Sequence, residues 1–395
     1  MNPIVSTTRN RIESIDLLRG AVMIIMALDH TRDYFHADGF IYDPLDLHKT
    51  TAIIFLTRWI THFCAPIFML LTGTSAFIVG EKRGIKALSK FLLTRGLFLV
   101  VLEMTVVNFA WNFNIRFPDI DFLVIWSLGA SMIALSAMVY LPKKATLVIG
   151  LVLVAGHNLL DTVHVPGKGL DAFLWSLLHE PGTFTWAGKN VTVLYPVISW
   201  IGTIAIGYSV GSLYSKNADA SQRKKFLLKL GIGAILFFMV LRFTNVYGDP
   251  SPWSTQHSFA FTILSFINVT KYPPSLLYLS ITFGLAFILL SRLEIKPGRF
   301  GKAIAIYGRV PMFYYLCHIY LIHLLGLFAT NFCGKKWTDM IFDTFDNLEK
   351  FKGYGFSLGI VYLVWVMVIL LLYPLCRWYD QYKTAHREKW WLSYL

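Results

Sequence analysis

The feature that most constrains this chain is the recurrence, over its whole length, of apolar runs about 20 residues long, the length a helix needs to cross a bilayer. Ten such windows stand out: 14–35, 51–79, 87–111, 122–141, 145–161, 192–214, 225–244, 273–291, 303–329 and 356–376. Hydrophobic residues make up 55% of the 395 and charged residues only 15%, with a mean hydropathy of +0.55. The expected fold is therefore all-α, a polytopic membrane bundle of about ten helices forming a single domain over 1–395 in a lipid bilayer. No soluble domain, linker, low-complexity tract or internal repeat is visible.

A net charge of +13 would suggest nucleic acid in a soluble protein, so the placement of the basic residues matters. They concentrate in alternate loops. Segments 1–13, 80–90, 141–145, 215–229, 291–302 and 377–395 hold 21 Lys or Arg, more than twice as many as the opposite set. That bias puts both termini in the cytoplasm and excludes a nucleic-acid partner. The outward loops, 36–50, 112–121, 162–191, 245–272 and 330–355, are rich in Asp, Trp, Gly and Pro. Residues 257–270 read as a short amphipathic or re-entrant piece, because a full span there would invert the later charge pattern. The first apolar run lacks a cleavage pattern and reads as a retained helix. Cys64, Cys317, Cys333 and Cys376 have no CxxC or metal-ligand spacing and are expected as free thiols. The NVT sequons at Asn190 and Asn268 matter only in a secretory pathway.

The first run, SIDLLRGAVMIIMALDHTRDYFH (14–36), is unusual for its charges. An Asp or Arg at the centre of a membrane helix costs roughly 2.5–3.5 kcal/mol, so such groups face the bundle interior and often mark function. Arg19 and His30 are eleven residues apart, which returns them to one helix face, roughly 16 Å apart along the axis. One face thus carries a fixed cation toward the cytoplasm and a titratable imidazole toward the outside.

The other polar groups sort by the same depth arithmetic. Arg95, Lys302 and Arg309 lie toward the cytoplasm, where a planar guanidinium suits phosphate. Snorkelling to headgroups is the competing explanation for Arg95 and Lys302. Toward the outer half lie Arg58, His62, His157, Asp161, Arg242, Asn245, Lys271, His318 and His323. A lone membrane histidine is more often an interhelical hydrogen-bond partner than a catalyst, and that reading leads for His157, His318 and His323. For His30 the catalytic reading leads, with Asp33 on its face and Asp29 beside it. A metal centre using Asp29 with Asp33, or His318 with His323, has no HExxH-like spacing behind it, and no metal is expected. Nucleophilic catalysis has little support, since Cys64 cannot face His62 and no GxSxG occurs.

The motif R-x-x-SIDLLRG-x10-H resembles the start of the membrane acyltransferases that include the heparan-alpha-glucosaminide N-acetyltransferase catalytic domain and the acyltransferase-3 proteins. Arg19 and His30 match the Arg-x10-His pattern of the latter. TRWITHFCAPIFMLLTGTSAF, LLTRGLFLVVLEMTVV, YPVISWIGTIAIGY, NVYGDPSPW, TKYPPSLLYL and GRVPMFYYLCHIYLIH extend the resemblance to the bacterial branch of the former family. The resemblance implies a multi-pass enzyme of the plasma (bacterial inner) membrane that moves an acyl group, usually acetyl, from cytosolic acyl-CoA to an extracytoplasmic acceptor, here a sugar or cell-envelope glycan. The lysosomal relative has an asparagine where His30 stands and its histidine further on, nearer His36, so His30 and His36 compete as the base. His30 is preferred because it shares a face with Arg19. On this reading Arg19, Arg309 and Arg95 hold the CoA phosphates, and Asp33 or Asp29 orients the base. Lys271, Arg242, His62, Arg58 and His318 line the acceptor side. The rival from another class is a proton-coupled secondary transporter of a small anionic or sugar substrate, although the paired broken helices common in transporters are missing. A lipid-binding scaffold is a third reading. Oligomeric state stays open, a homodimer included.

Overall fold

A computed structural model describes residues 12–37, 39–294, 297–342 and 348–394. Residues 1–11, with Arg11 at the head of the first motif, lie outside the described residues, as do 295–296 and 343–347 within two of the expected loops.

The chain is mostly helical. In order come α1 (Glu13–Phe35), α2 (Ala52–Ile60), α3 (Cys64–Arg83), α4 (Ile85–Leu102), α5 (Asn108–Asn112), β1 (Asp119–Phe122), α6 (Val124–Met138), α7 (Lys143–Gly156) and α8 (Leu170–Leu178). Then follow β2 (Gly182–Trp186), β3 (Lys189–Val193), α9 (Ile198–Val210), α10 (Ala220–Thr244), α11 (Phe259–Ile267), α12 (Leu276–Arg292), α13 (Arg299–Arg309), α14 (Pro311–Phe332) and α15 (Leu358–Ala385). Among the described residues six helices are long and apolar enough to cross a membrane: Ala52–Arg83, Ile85–Asn112, Lys143–Leu160, Ala220–Thr244, Pro311–Phe332 and Leu358–Ala385.

Local chemistry sets the boundaries. Thr51, Asp219, Ser258 and Ser275 cap α2, α10, α11 and α12 by accepting a bond from a backbone N–H in the first turn, which meets donors that have no intrahelical partner. The expected continuous span 303–329 is instead two helices. Pro311 cannot donate to the turn before it and bars its predecessor from helical backbone, so α13 stops and Pro311 starts α14 at a favoured first position. Residues 257–270 contain only the nine-residue α11.

Helix α1 is central, packed against α3, α13, α14 and α15. Its approach to α13 is so close that a Cβ at Gly20 would run into the Ile304 carbonyl, and one at Gly308 into that of Asp16. Gly73 and Gly207 do the same between α3 and α9. Small residues at such crossings let helices gain dispersion contacts that lipid would otherwise supply.

The departure from an all-α bundle is a three-stranded sheet of order β1-β3-β2, with β1 parallel and β2 antiparallel to β3. Ala187 and Gly188, at φ 50° and 74°, make the two-residue turn of the β2–β3 hairpin. Strand alternation gives the sheet two unlike faces. Ile120, Phe122, Phe184 and Val191 pack with Ala172 and Phe173 of α8. Asp119, Asp121, Thr183, Asn190 and Thr192 face the other way, into the bundle.

Candidate active site

Beneath that polar sheet face lies a cavity of about 510 Å³. Its deep wall is apolar, with Val22, Met23, Met26, Phe68 and Met312. Its polar wall holds Asp29, His30, Asp33, Arg58, Tyr195, Lys271 and Tyr272 together with the sheet residues. Helix α1 therefore presents His30 to an enclosed space, as its charge pattern suggests.

The π-helical segment Glu103–Val107 and the short α5 beyond it bring Trp111 against His30, edge to face at 4.8 Å between centroids. On its other side the His30 ring lies nearly parallel to that of His318 of α14, 4.9 Å between centroids. His30 Nδ1 lies 2.8 Å from His318 Nε2, and His318 Nδ1 lies 2.9 Å from the Tyr314 carbonyl. A carbonyl only accepts, so His318 carries its proton on Nδ1. With both rings neutral, His318 Nε2 then accepts from His30 Nδ1–H. His30 is left with its lone pair on Nε2, the arrangement a general base needs.

The carboxylates expected to orient His30 are engaged elsewhere. Asp29 pairs with Arg58, and Arg32 lies 3.3 Å from it. Asp33 pairs with Arg32 at 2.5 Å. The orienting contact on His30 belongs to His318 instead. Arg58 also reaches Thr61 Oγ1 at 3.2 Å, so a network of two cations and two carboxylates lies beside His30. Lys271 sits over the ring of Tyr272 at 5.1 Å, and the Tyr272 and Tyr195 hydroxyls meet at 3.4 Å.

Several expected residues lie outside the cavity lining. His36 ends α1, buried, and its backbone bridges to Phe356. His62 packs edge-on against Tyr278. Arg242 donates to the carbonyls of Ser251, Ser265, Phe266 and Asn268 at 2.6–3.1 Å, tying the 245–268 segment to α10. Arg19 donates to Ser75 Oγ at 2.7 Å and to the carbonyls of Leu71 and Gly308, joining α1 to α3 and α13. Arg309 pairs with Asp380 of α15 at 2.7 Å. Arg95 stacks on Phe91, at the edge of a second cavity of about 750 Å³ lined by Arg83, Lys90, Phe91, Lys383, Arg387 and Lys389.

Asp119 and Asp121 are the cavity groups that sequence reasoning passed over. Both are buried, and Asp121 Oδ2 has no hydrogen-bond partner. Burial, reinforced by the Asp119 charge and opposed by a bond from Asn112, pushes the Asp121 carboxyl up to about 6. The signal was the alternation in PDIDF, too short to separate a strand from a loop.

No curated protein matches the chain. The model of the family described as heparan-alpha-glucosaminide N-acetyltransferase, catalytic, matches residues 11–242, more than half of the chain. That stretch carries His30 and most of the cavity wall, while Lys271, Tyr272, Met312 and Tyr315 of the lining and the supporting His318 lie beyond it. The chain belongs to the heparan-alpha-glucosaminide N-acetyltransferase catalytic-domain family and is a membrane enzyme of the acetyltransferase type.

Proposed function

We propose that this enzyme moves an acetyl group from cytosolic acetyl-CoA to an amine or hydroxyl of an extracytoplasmic acceptor, a sugar or cell-envelope glycan, with His30 as general base. The observation that carries this reading is the chain from the Tyr314 carbonyl through His318 to His30, ending on a basic Nε2 at the cavity. The donor supplies an acyl thioester. His30 Nε2 removes the proton from the acceptor nitrogen or oxygen as that atom bonds to the acyl carbon, and returns it to the leaving thiolate. Lys271 offers the positive charge that favours the developing oxyanion, while Asp121 and Asn190 hold the acceptor against the sheet.

The donor end has two supports. The deep wall of the cavity is apolar and suits a thin pantetheine-like arm. The second cavity gathers five cations around Phe91, a match for an anionic nucleotide head. Phe68 at the first cavity and Arg83 at the second both lie on α3, fifteen residues or about 22 Å apart. Of the three arginines expected at the phosphates, Arg95 is the one beside this cleft. Arg19 and Arg309 act as ties between helices.

In this proposal the chain is one domain in the plasma (inner) membrane. The six long apolar helices, joined by α1, α6, α9 and α12, make ten spans with both termini cytoplasmic, which places the sheet outside and the basic cleft inside. Proteoliposomes loaded with acetyl-labelled CoA test it. Label should appear covalently on an external amino sugar. Flux of an unmodified substrate without label transfer would instead establish a transporter.

A further inference from the structure

Away from the cavity, α7 and α8 end against each other. His157 follows α7 directly, Asp161 closes the turn after it, and His179 caps the C-terminus of α8. One potential ligand atom from each lies within 4.8 Å of the other two, the one such group of three among the described residues. His179 Nε2 is 3.2 Å from Asp161 Oδ1, and the two imidazoles meet edge to face at 5.7 Å.

Two features point to an ion rather than to ordinary packing. His157 is 2% and His179 3% exposed, yet neither ring nitrogen of His157 makes a well-formed hydrogen bond, the Pro274 carbonyl being the backbone group that faces it. Leaving such a group buried and unmet costs about 1–3 kcal/mol. Asp161 is also held from behind. Its other oxygen accepts from Asn158 Nδ2 at 2.8 Å, and Asn158 Oδ1 accepts from the Leu276 N–H, at the start of α12, at 2.9 Å. Buttressing of this kind orients ligating carboxylates in metal sites.

We propose that His157, Asp161 and His179 bind a divalent transition-metal ion, zinc by the chemistry of the donors, with a water at the fourth position. Two imidazoles and one carboxylate are borderline donors of the kind zinc selects. With bonds near 2.0–2.1 Å, tetrahedral ligand atoms sit about 3.4 Å apart, which the three side chains reach by small rotations. The ion enters past Asp161, whose side chain is 19% exposed. Three protein donors and a water leave the site open, and the ion's effect on the fold is that of a clamp. His179 precedes β2 by three residues, and Thr183 of β2 lines the cavity, so the metal fastens the sheet to α7 and, through Asn158, to α12.

This inference stands apart from the transfer reaction and is read without it. The full-length protein, purified through a tag free of histidine and stripped with chelator, is titrated with zinc and analysed for bound metal. One equivalent per chain is expected, with a higher melting temperature on loading. Cobalt in its place should give the visible d–d bands of a four- or five-coordinate ion. His157→Gln and His179→Gln should abolish retention, and Asn158→Ala should weaken binding about 10–100-fold. The wild-type stoichiometry and cobalt spectrum serve even if a variant does not fold. Wild-type protein that retains no metal, or variants that retain as much as wild type, would overturn the site.

Discussion

The two ends of α1 carry the same kinds of charged side chain and use them in opposite ways. At the N-terminal end Arg19 is absorbed into the bundle, bonded to Ser75 and to two carbonyls across the crossings with α3 and α13. At the C-terminal end Asp29, His30 and Asp33 open on a cavity, and His30 keeps one ring nitrogen for it. The difference is in what the helix packs against. Where Gly20 and Gly308 let α13 come close there is no room for a ligand, whereas toward the C-terminal end the sheet stands off and leaves a cavity. An intramembrane charge thus marks the bundle interior, and only the neighbouring elements decide whether it stitches or reacts.

The largest effect expected at the cavity end of α1 is on stability. Asp29→Ala leaves Arg58 and Arg32 without a shared carboxylate, and removing one partner of a buried pair costs about 3–5 kcal/mol. A thermal melt of the detergent-solubilised protein checks it; an unchanged melting temperature would mean that the network is solvated. Next, His318→Ala removes the group that fixes the His30 tautomer without touching substrate. Turnover should fall roughly 100-fold, about 2.7 kcal/mol, with the KM for donor unchanged. A change in KM alone would place His318 in substrate binding.

Asp121 gives a pH-dependent comparison. Its carboxyl is raised to about 6, so it is charged above that pH and neutral below. If the charge holds the acceptor, wild-type activity falls as pH drops through about 6, and Asp121→Asn lacks that inflection. The stability effect has the opposite sign. Because the folded-state value exceeds the unfolded one, the carboxylate destabilises the fold above about 6 and is relieved on protonation. Asp121→Asn should therefore melt higher than wild type at pH 8, by about 1–3 kcal/mol, with the gap closing toward pH 4. A pH-independent gap would count against this. The smallest effect on chemistry belongs to the N-terminal end: Arg19→Gln should lower the melting temperature yet leave turnover per folded molecule within about twofold. A loss of donor affinity there would restore Arg19 to phosphate binding.

These contrasts also mark what the sequence could disclose. His30 and Asp29 were legible because charge in an apolar run carries a fixed penalty, and helical periodicity places them on known faces. Most helices were legible for the same reason, and Pro311 shows where the spacing of apolar residues alone runs two helices together. The arginines were not legible in role. Guanidinium chemistry suits phosphate, but it suits Asp380 for Arg309, and four carbonyls of the 251–268 segment for Arg242, equally well, and only packing reveals which is present. His318 looked like an ordinary interhelical partner; it is one, and its partner is His30. The sheet was hidden because four- and five-residue strands give only two or three alternations, so Asp119 and Asp121 passed as loop acids.

The central claim is that His30 transfers the proton. Single-turnover transfer of labelled acetyl to an amino-sugar acceptor, compared among wild type, His30→Ala and His36→Gln with donor binding measured in parallel, tests it most directly. The expected result is a loss of about 10²–10⁴-fold for His30→Ala at unchanged donor affinity, with His36→Gln near wild type. Wild-type transfer by His30→Ala, or a comparable loss confined to His36→Gln, would contradict it.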